Sequence, residues 1–422
     1  MSTLLRPAAE AALDELRRAK VRHEIFAKEG ETYSLRWRAD RRERRHARQA
    51  GVACRLAGGG TRGFAAVAGT AAAAGRAAAR AALALAYLGA DPLPPRRLLG
   101  CATVPPQPSA PTADEAERFA AQLADALAAR ALQIEELRVV TGWSQALLVT
   151  GEGFAGTVDA SGALVEVRTG GGQLPGSVVH RAVPVLSEAL IAVLTEAVAA
   201  TAVLPARVAA PRRGLHDVLV APEVAAHLLL ALLDLLGADL HRRRHVSPAW
   251  QLVDARAGPG GLLPLPFDGE GIPSRTVPLV VGGRLGRPAR TWQEAEGVAA
   301  QAGGAVRASY ADPPASGPAN LVMTPGTEPA AALTARLADG WHLRAMAGAV
   351  QLDRARDCLT VPALGVRVCH GDAVQVWPRV ELRAGCSRLL AALEAVGDDP
   401  ASVSLRAAVT TPSLLFRQLE LG

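Results

Sequence analysis

Residues 1–20 place apolar side chains at helical spacing and predict an amphipathic helix, after which the period of the pattern falls to two. Segments 21–28 and 31–39 read as two strands. In the second, Tyr33, Leu35 and Trp37 alternate with Ser34, Arg36 and Arg38, so one face should be buried and the other rich in arginine. Short strands at 51–57 and 62–67 flank Gly58, Gly59 and Gly60, which supply the positive φ of a tight hairpin. A helix is expected over 70–88. Pro92, Pro94, Pro95, Pro105, Pro106, Pro108 and Pro111 then preclude helix and predict a stiff extended connector over 89–111.

Thr112, Asp114 and Glu115 open a capped helix running to about residue 132. Strands follow at 136–141, 144–150, 156–159 and 164–168, punctuated by glycines, and a helix at 184–203. Pro205 and Pro211 mark a second boundary. A short apolar strand at 218–220 runs into Pro222, a residue suited to the first turn of a helix that continues to 237. Beyond it, short apolar runs separated by Gly and Pro predict a mostly antiparallel β domain. The fold class is therefore α+β, with N-terminal mixed α/β units (1–90 and 112–210, joined by 91–111) followed by a β-rich C-terminal domain (211–422).

The chain's 422 residues suffice for two or three domains with a proper core. Aromatics make up only 4%, so that core must be built from Ala, Leu and Val. Arginine and lysine number 46 against 40 acids, a mild excess that is mostly scattered singly, which makes nucleic acid an unlikely main partner. The five cysteines are widely spaced and free of any CxxC pair, which excludes a disulfide framework and points to a reducing compartment. No apolar stretch reaches the roughly 18 residues of a bilayer span, so a cytoplasmic protein is expected, without a membrane partner.

Two C-terminal segments are similar to a known family. Residues 218–239, VLVAPEVAAHLLLALLDLLGAD, resemble the strand, proline and helix that open the C-terminal domain of the TldD/PmbA (TldD/TldE) metallopeptidase family. Leu252, Val253 and Asp254, then Gly260 and Gly261, then PFDGEGIPSR over 266–275 resemble that family's aspartate, glycine and acidic-turn succession; Asp268, Glu270, Gly271 and Arg275 carry the likeness. Residues 41–64 resemble its basic stretch and following strand. In the family's catalytic branch an HExxxH helix supplies two zinc-binding histidines and a glutamate base, with a cysteine near the C-terminus as third ligand. Three ligands leave a position for a water that the metal acidifies.

Here the corresponding positions are Leu229, Leu230 and Asp234 in one register, or Leu230, Ala231 and Leu235 in another, and 402–422 contain no cysteine. Leucine neither binds zinc nor moves a proton. The resemblance thus implies the TldE (PmbA) branch: a subunit with no cofactor of its own, paired with a TldD-like catalytic subunit that carries the zinc and acts on extended, unfolded peptide. Its contact surface would be the C-terminal domain and the helix 222–237, which is apolar all round and must be buried on every side.

Other residues fit blander roles. His227 stands alone on its helix. His241 and His245 are spaced for a metal but enclose three arginines, which repel a dication. Asp268, Glu270 and Glu223 admit an acid/base reading, against a structural or substrate-lining turn. Cys358, Cys369 and Cys386 read as small buried hydrophobes. The run RRERRHAR at 41–48 reads as a solvated face, with an acidic partner or nucleic acid as the alternative. A gyrase-modulating binding protein and a self-sufficient hydrolase remain the rival functions.

Overall fold

The computed structural model describes residues 4–38, 41–58, 60–89, 91–169, 178–202, 207–236, 245–258 and 260–422. The N-terminal half is one antiparallel sheet. After helix α1 (Arg6–Arg18) come β1 (Arg22–Arg38), β2 (Arg41–Gly58), β3 (Thr61–Ala68), α2 (Ala72–Ala84) and β4 (Tyr87–Leu88). Helix α3 (Ala113–Ala129) then leads to β5 (Ile134–Thr150), β6 (Ala155–Thr169), β7 (Val178–Val183) and α4 (Glu188–Ala202). The strand order is β4-β3-β2-β1-β5-β6-β7.

The segments expected at 21–28 and 31–39 are the single strand β1, and the four expected between 136 and 168 are the two strands β5 and β6. The glycines that read as turns lie inside the strands. A Cβ on Gly30 would sit 2.6 Å from the Trp143 carbonyl oxygen, and one on Gly142 would sit 2.8 Å from that of Glu31. Gly142 faces Gly162 across β5 and β6. This glycine row divides two cores. Helices α1 and α2 pack on Ile25, Ala27, Val52, Cys54 and Leu147, whereas α3 and α4 pack on Leu35, Leu137, Val139, Val165 and Val167.

Those core residues all occupy odd positions on β1 and β5, so both helix pairs lie on one face of the sheet. The other face carries Glu24, Phe26, Arg36, Arg138 and Leu148. The capping box expected at Thr112 forms, with Glu115 N–H donating to Thr112 Oγ1 and Thr112 N–H to the Glu115 carboxylate. The connector is held in place: Leu93 and Leu99 are buried, and Asp91 pairs with Arg55.

The C-terminal half begins with β8 (Gly214–Val220) and α5 (Pro222–Leu236), then β9 (Gln251–Ala255), β10 (Thr276–Val281), β11 (Arg284–Leu285), β12 (Ala305–Val306), β13 (Ala315–Ser316) and β14 (Asn320–Met323). Helix α6 (Ala330–Ala335) precedes β15 (Asp339–Met346), β16 (Gln351–Asp353), β17 (Cys358–Cys369) and β18 (Asp372–Gly385). Last come α7 (Cys386–Ala392), β19 (Leu393–Val396), β20 (Ala401–Ser404), β21 (Ala408–Thr411) and β22 (Leu414–Leu421). One sheet runs β11-β10-β9-β14-β21-β20 and another β15-β8-β22-β18-β17-β16. Pairing is antiparallel except at β14 with β21 and β15 with β8. The whole is the expected α+β fold.

Helix α5 lies between these two sheets, touching β15 and β17 on one side and β20 and β21 on the other. Apart from Pro222, His227 and Asp234, every residue of it is buried. Its own domain buries it, as its all-apolar sequence requires, and of its residues Pro222, His227 and Asp234 remain partly exposed.

Candidate functional site around helix α5 and the acidic turn

The acidic turn is a buried joint. Asp268 is 2% exposed, and its carboxylate accepts the N–H groups of Glu270 (2.9 Å), Ile272 (3.0 Å) and Ala305 (3.0 Å). Burial pushes its pKa above the usual carboxylate range against the pull of these amides. Gly271, at φ 85°, completes the turn, and its carbonyl accepts Gly100 N–H from the connector at 3.0 Å.

Glu270, fully buried, points at the N-terminal sheet. One oxygen accepts Arg55 Nη1 at 2.8 Å and the other the Trp292 amide at 2.6 Å. Burial raises its pKa to about 7, opposed by Arg55. Arg55 also binds Asp91 through two nitrogens and lies 3.8 Å from Glu24, its cross-strand neighbour. Glu24 in turn pairs with Arg307, which donates to the Gly269 carbonyl at 2.9 Å and stacks over Phe26. Five charges from five distant segments thus lock the even face of the N-terminal sheet to the acidic turn.

Both oxygens of each carboxylate accept hydrogen bonds that tie the turn to its neighbours. Arg275 is exposed and donates to the Ala300 carbonyl at 2.6 Å. Spacing alone missed Arg55, Glu24 and Arg307, since the contacts span up to 283 residues; the only signal was the likeness of 41–64 to the family's strand.

Around α5 the residues do not fit a zinc ion. Leu229 is fully buried and Leu230 nearly so, enclosed in the core between the sheets. Asp234 borders a cavity of about 310 Å³ shared with Asp254, Arg290, Glu294 and Arg406. Its carboxylate accepts Arg406 Nη2 at 2.6 Å, and the same nitrogen reaches the Leu230 carbonyl. Asp254 is spent on Arg256 Nε (2.8 Å) and the Asn320 amide (2.9 Å). Among the described residues, no three His, Cys, Asp or Glu side chains gather to hold a metal.

The remaining candidates are dispersed. His227 is half-buried, with its pKa lowered by burial. His241 lies outside the described residues, and His245 is exposed. Cys386 is buried as expected, whereas Cys358 and Cys369 are half-exposed because β17 brings them to its ends. No helix among the described residues is long and apolar enough to cross a membrane.

Comparison with known proteins places this geometry. Residues 213–422 match the family profile described as PmbA/TldA metallopeptidase C-terminal domain. The fold of the whole chain is similar to TldE from Thermococcus kodakarensis, at 14% identity and TM-score 0.80, covering 98% of this chain and 100% of that one. It is likewise similar to a candidate modulator of a DNA gyrase from Thermotoga maritima, at 15% identity and TM-score 0.79, covering 99% and 100%. A third, from Bacteroides thetaiotaomicron and also a candidate modulator of DNA gyrase, gives 16% and 0.78, covering 100% and 99%. No curated protein matches the chain. With its C-terminal half matching the profile and its full length sharing the fold, the chain belongs to the PmbA/TldD metallopeptidase-like family.

Proposed function

We propose that this chain is the metal-free, TldE-like member of a two-subunit zinc peptidase, in which a TldD-like partner carries the metal and this subunit scaffolds it and helps hold an extended peptide. The observation that supports this is the character of α5. Where the catalytic branch needs histidines and a base, the chain has two core leucines and an aspartate tied to Arg406. Such a helix stabilises its domain and offers no Lewis acid or proton acceptor for attack on a peptide carbonyl. An extended peptide, whose backbone groups need partners, suits the edge of a sheet in either subunit.

The gyrase-modulator reading requires a free basic surface. Here Arg44 pairs with Glu117 of α3, Arg41 and Arg45 with Glu43, and Arg48 with Glu29 and Glu31, so much of that run is neutralised by its own sheet and the helix packed on it. Co-purification with a TldD-like protein, followed by peptide cleavage assays of each chain alone and of the mixture, tests the proposal. Cleavage should require both chains. Full activity from the partner alone, or any zinc-dependent activity from this chain alone, would overturn it.

A further inference from the structure

A second cavity, of about 560 Å³, lies where the β3 and β4 edge of the N-terminal sheet meets loops of the C-terminal half. Arg62 and Phe64 of β3 and Tyr87 of β4 line one side, and Thr291, Pro313 and Pro314 line the other. Strand register brings the first three together. Phe64 lies opposite Arg55 and Tyr87 opposite Arg62, and Arg62 and Phe64 are two residues apart, so all share the sheet face that carries Glu24 and Arg55 toward the acidic turn.

Arg62 is held in place, yet its hydrogen-bonding capacity is not used. Its guanidinium stacks 4.7 Å from the centre of the Tyr87 ring. The Gly89 backbone crowds the same side chain, since a Cβ there would sit 2.8 Å from Arg62 Nε and 3.1 Å from its Cδ. Stacking on a ring engages the flat face of a guanidinium and none of its five N–H donors, which point outward in its plane.

Those donors have no acceptor among the described residues. No acid there lies within ion-pair distance of Arg62, and its Nε is buried without a hydrogen-bond partner. Asp91 lines the same cavity but gives both carboxylate oxygens to Arg55. A buried donor without an acceptor is destabilising, so the placement of this side chain calls for a reason.

The remaining lining is flat and apolar. Tyr87 is 55% exposed and Leu85, also at the cavity, 62% exposed, which leaves their apolar surface open to a ligand. The volume lies within the range of about 300–1,000 Å³ typical of small-molecule sites, which combine apolar walls with a few polar groups.

We propose that this cavity binds a small aromatic carboxylate, whose oxygens accept from the edge of the Arg62 guanidinium and whose ring packs against Tyr87, Phe64 and the two prolines. A carboxylate matches the guanidinium fork through two parallel N–H···O bonds, and an aromatic ring suits the flat walls. The proposal needs neither a peptidase partner nor a metal, so its failure would leave the assignment above untouched.

Calorimetric titration of the full-length chain with phenylacetate, phenylacetamide and acetate tests it. Phenylacetate should bind saturably, with the amide and acetate each at least tenfold weaker. Arg62→Gln should weaken phenylacetate at least tenfold, and Tyr87→Ser at least fivefold, while circular dichroism stays native. Tyr87 is more than half exposed on a two-residue edge strand, so its variant decides the matter should Arg62→Gln fail to fold. Arg97→Gln, which removes an exposed arginine that does not line the cavity, should leave binding unchanged. Equal binding of acid and amide, equal binding of acetate, no saturable binding, indifference to Tyr87→Ser, or an equal loss in Arg97→Gln would each overturn the proposal.

Discussion

Arg55 shows how much a single side chain carries here. It is 4% exposed and holds Glu270, Asp91 and Glu24 together across two halves of the chain. Arg55→Met would leave buried carboxylates without their cation, and such breakage costs about 3–5 kcal/mol. Urea unfolding should show a loss of that size, and a loss under 1 kcal/mol would mean that the joint is solvated. Glu223 makes a different prediction. Its pKa rises from an ordinary 4.5 to about 8 on folding, chiefly through burial. Between those values the unfolded chain has released the proton that the folded chain keeps. The stability this group contributes is thus full below pH 4.5 and lost as pH rises through 8. Glu223→Gln, which never ionises, should gain on the wild type over that interval by on the order of a few kcal/mol. Unfolding curves at pH 5 and pH 8 measure it, and identical slopes for both proteins would refute the burial of this carboxyl.

Among the elements, the long strands of the N-terminal sheet depend on glycine where no turn exists. Gly30→Ala would drive a methyl group into the Trp143 carbonyl, so a loss of about 1–3 kcal/mol is expected in thermal or urea unfolding. The same glycines explain what the sequence concealed. Alternation of Tyr33, Leu35 and Trp37 correctly marked the buried face of β1, but Gly30 broke the pattern and split one strand into two. Pairing of β1 with β5 brings residues together across the whole connector, a contact that no local pattern encodes. Helix α5 was legible in extent from Pro222 and its leucines. Its burial was legible too, and two sheets of its own domain supply the covering. Leu229 sits at the centre of that packing, and Leu229→Ala should cost about 2–5 kcal/mol. By contrast, Arg406→Ala removes a partly exposed ion pair and should cost about 1 kcal/mol or less.

Across the whole molecule, charge acts as a fastener between the two halves. The even face of the sheet meets the C-terminal domain through Glu24 and Arg55 at one side, and at the other a neutral bond joins them, the His180 backbone N–H donating to the buried Glu223 carboxyl. The acidic turn that made the family recognisable is part of this fastener, which is why its carboxylates face inward. Its residues were readable from the sequence because the turn is local, at Asp268 to Gly271. Their arginine partners were not, because they come from β2 and from residue 307. The proposed function rests on α5, where Leu229 and Leu230 lie buried between two sheets. Zinc retained per chain, measured by elemental analysis on the protein purified by itself, tests this most directly. The account predicts far less than one equivalent; one firmly held zinc for every chain would contradict it.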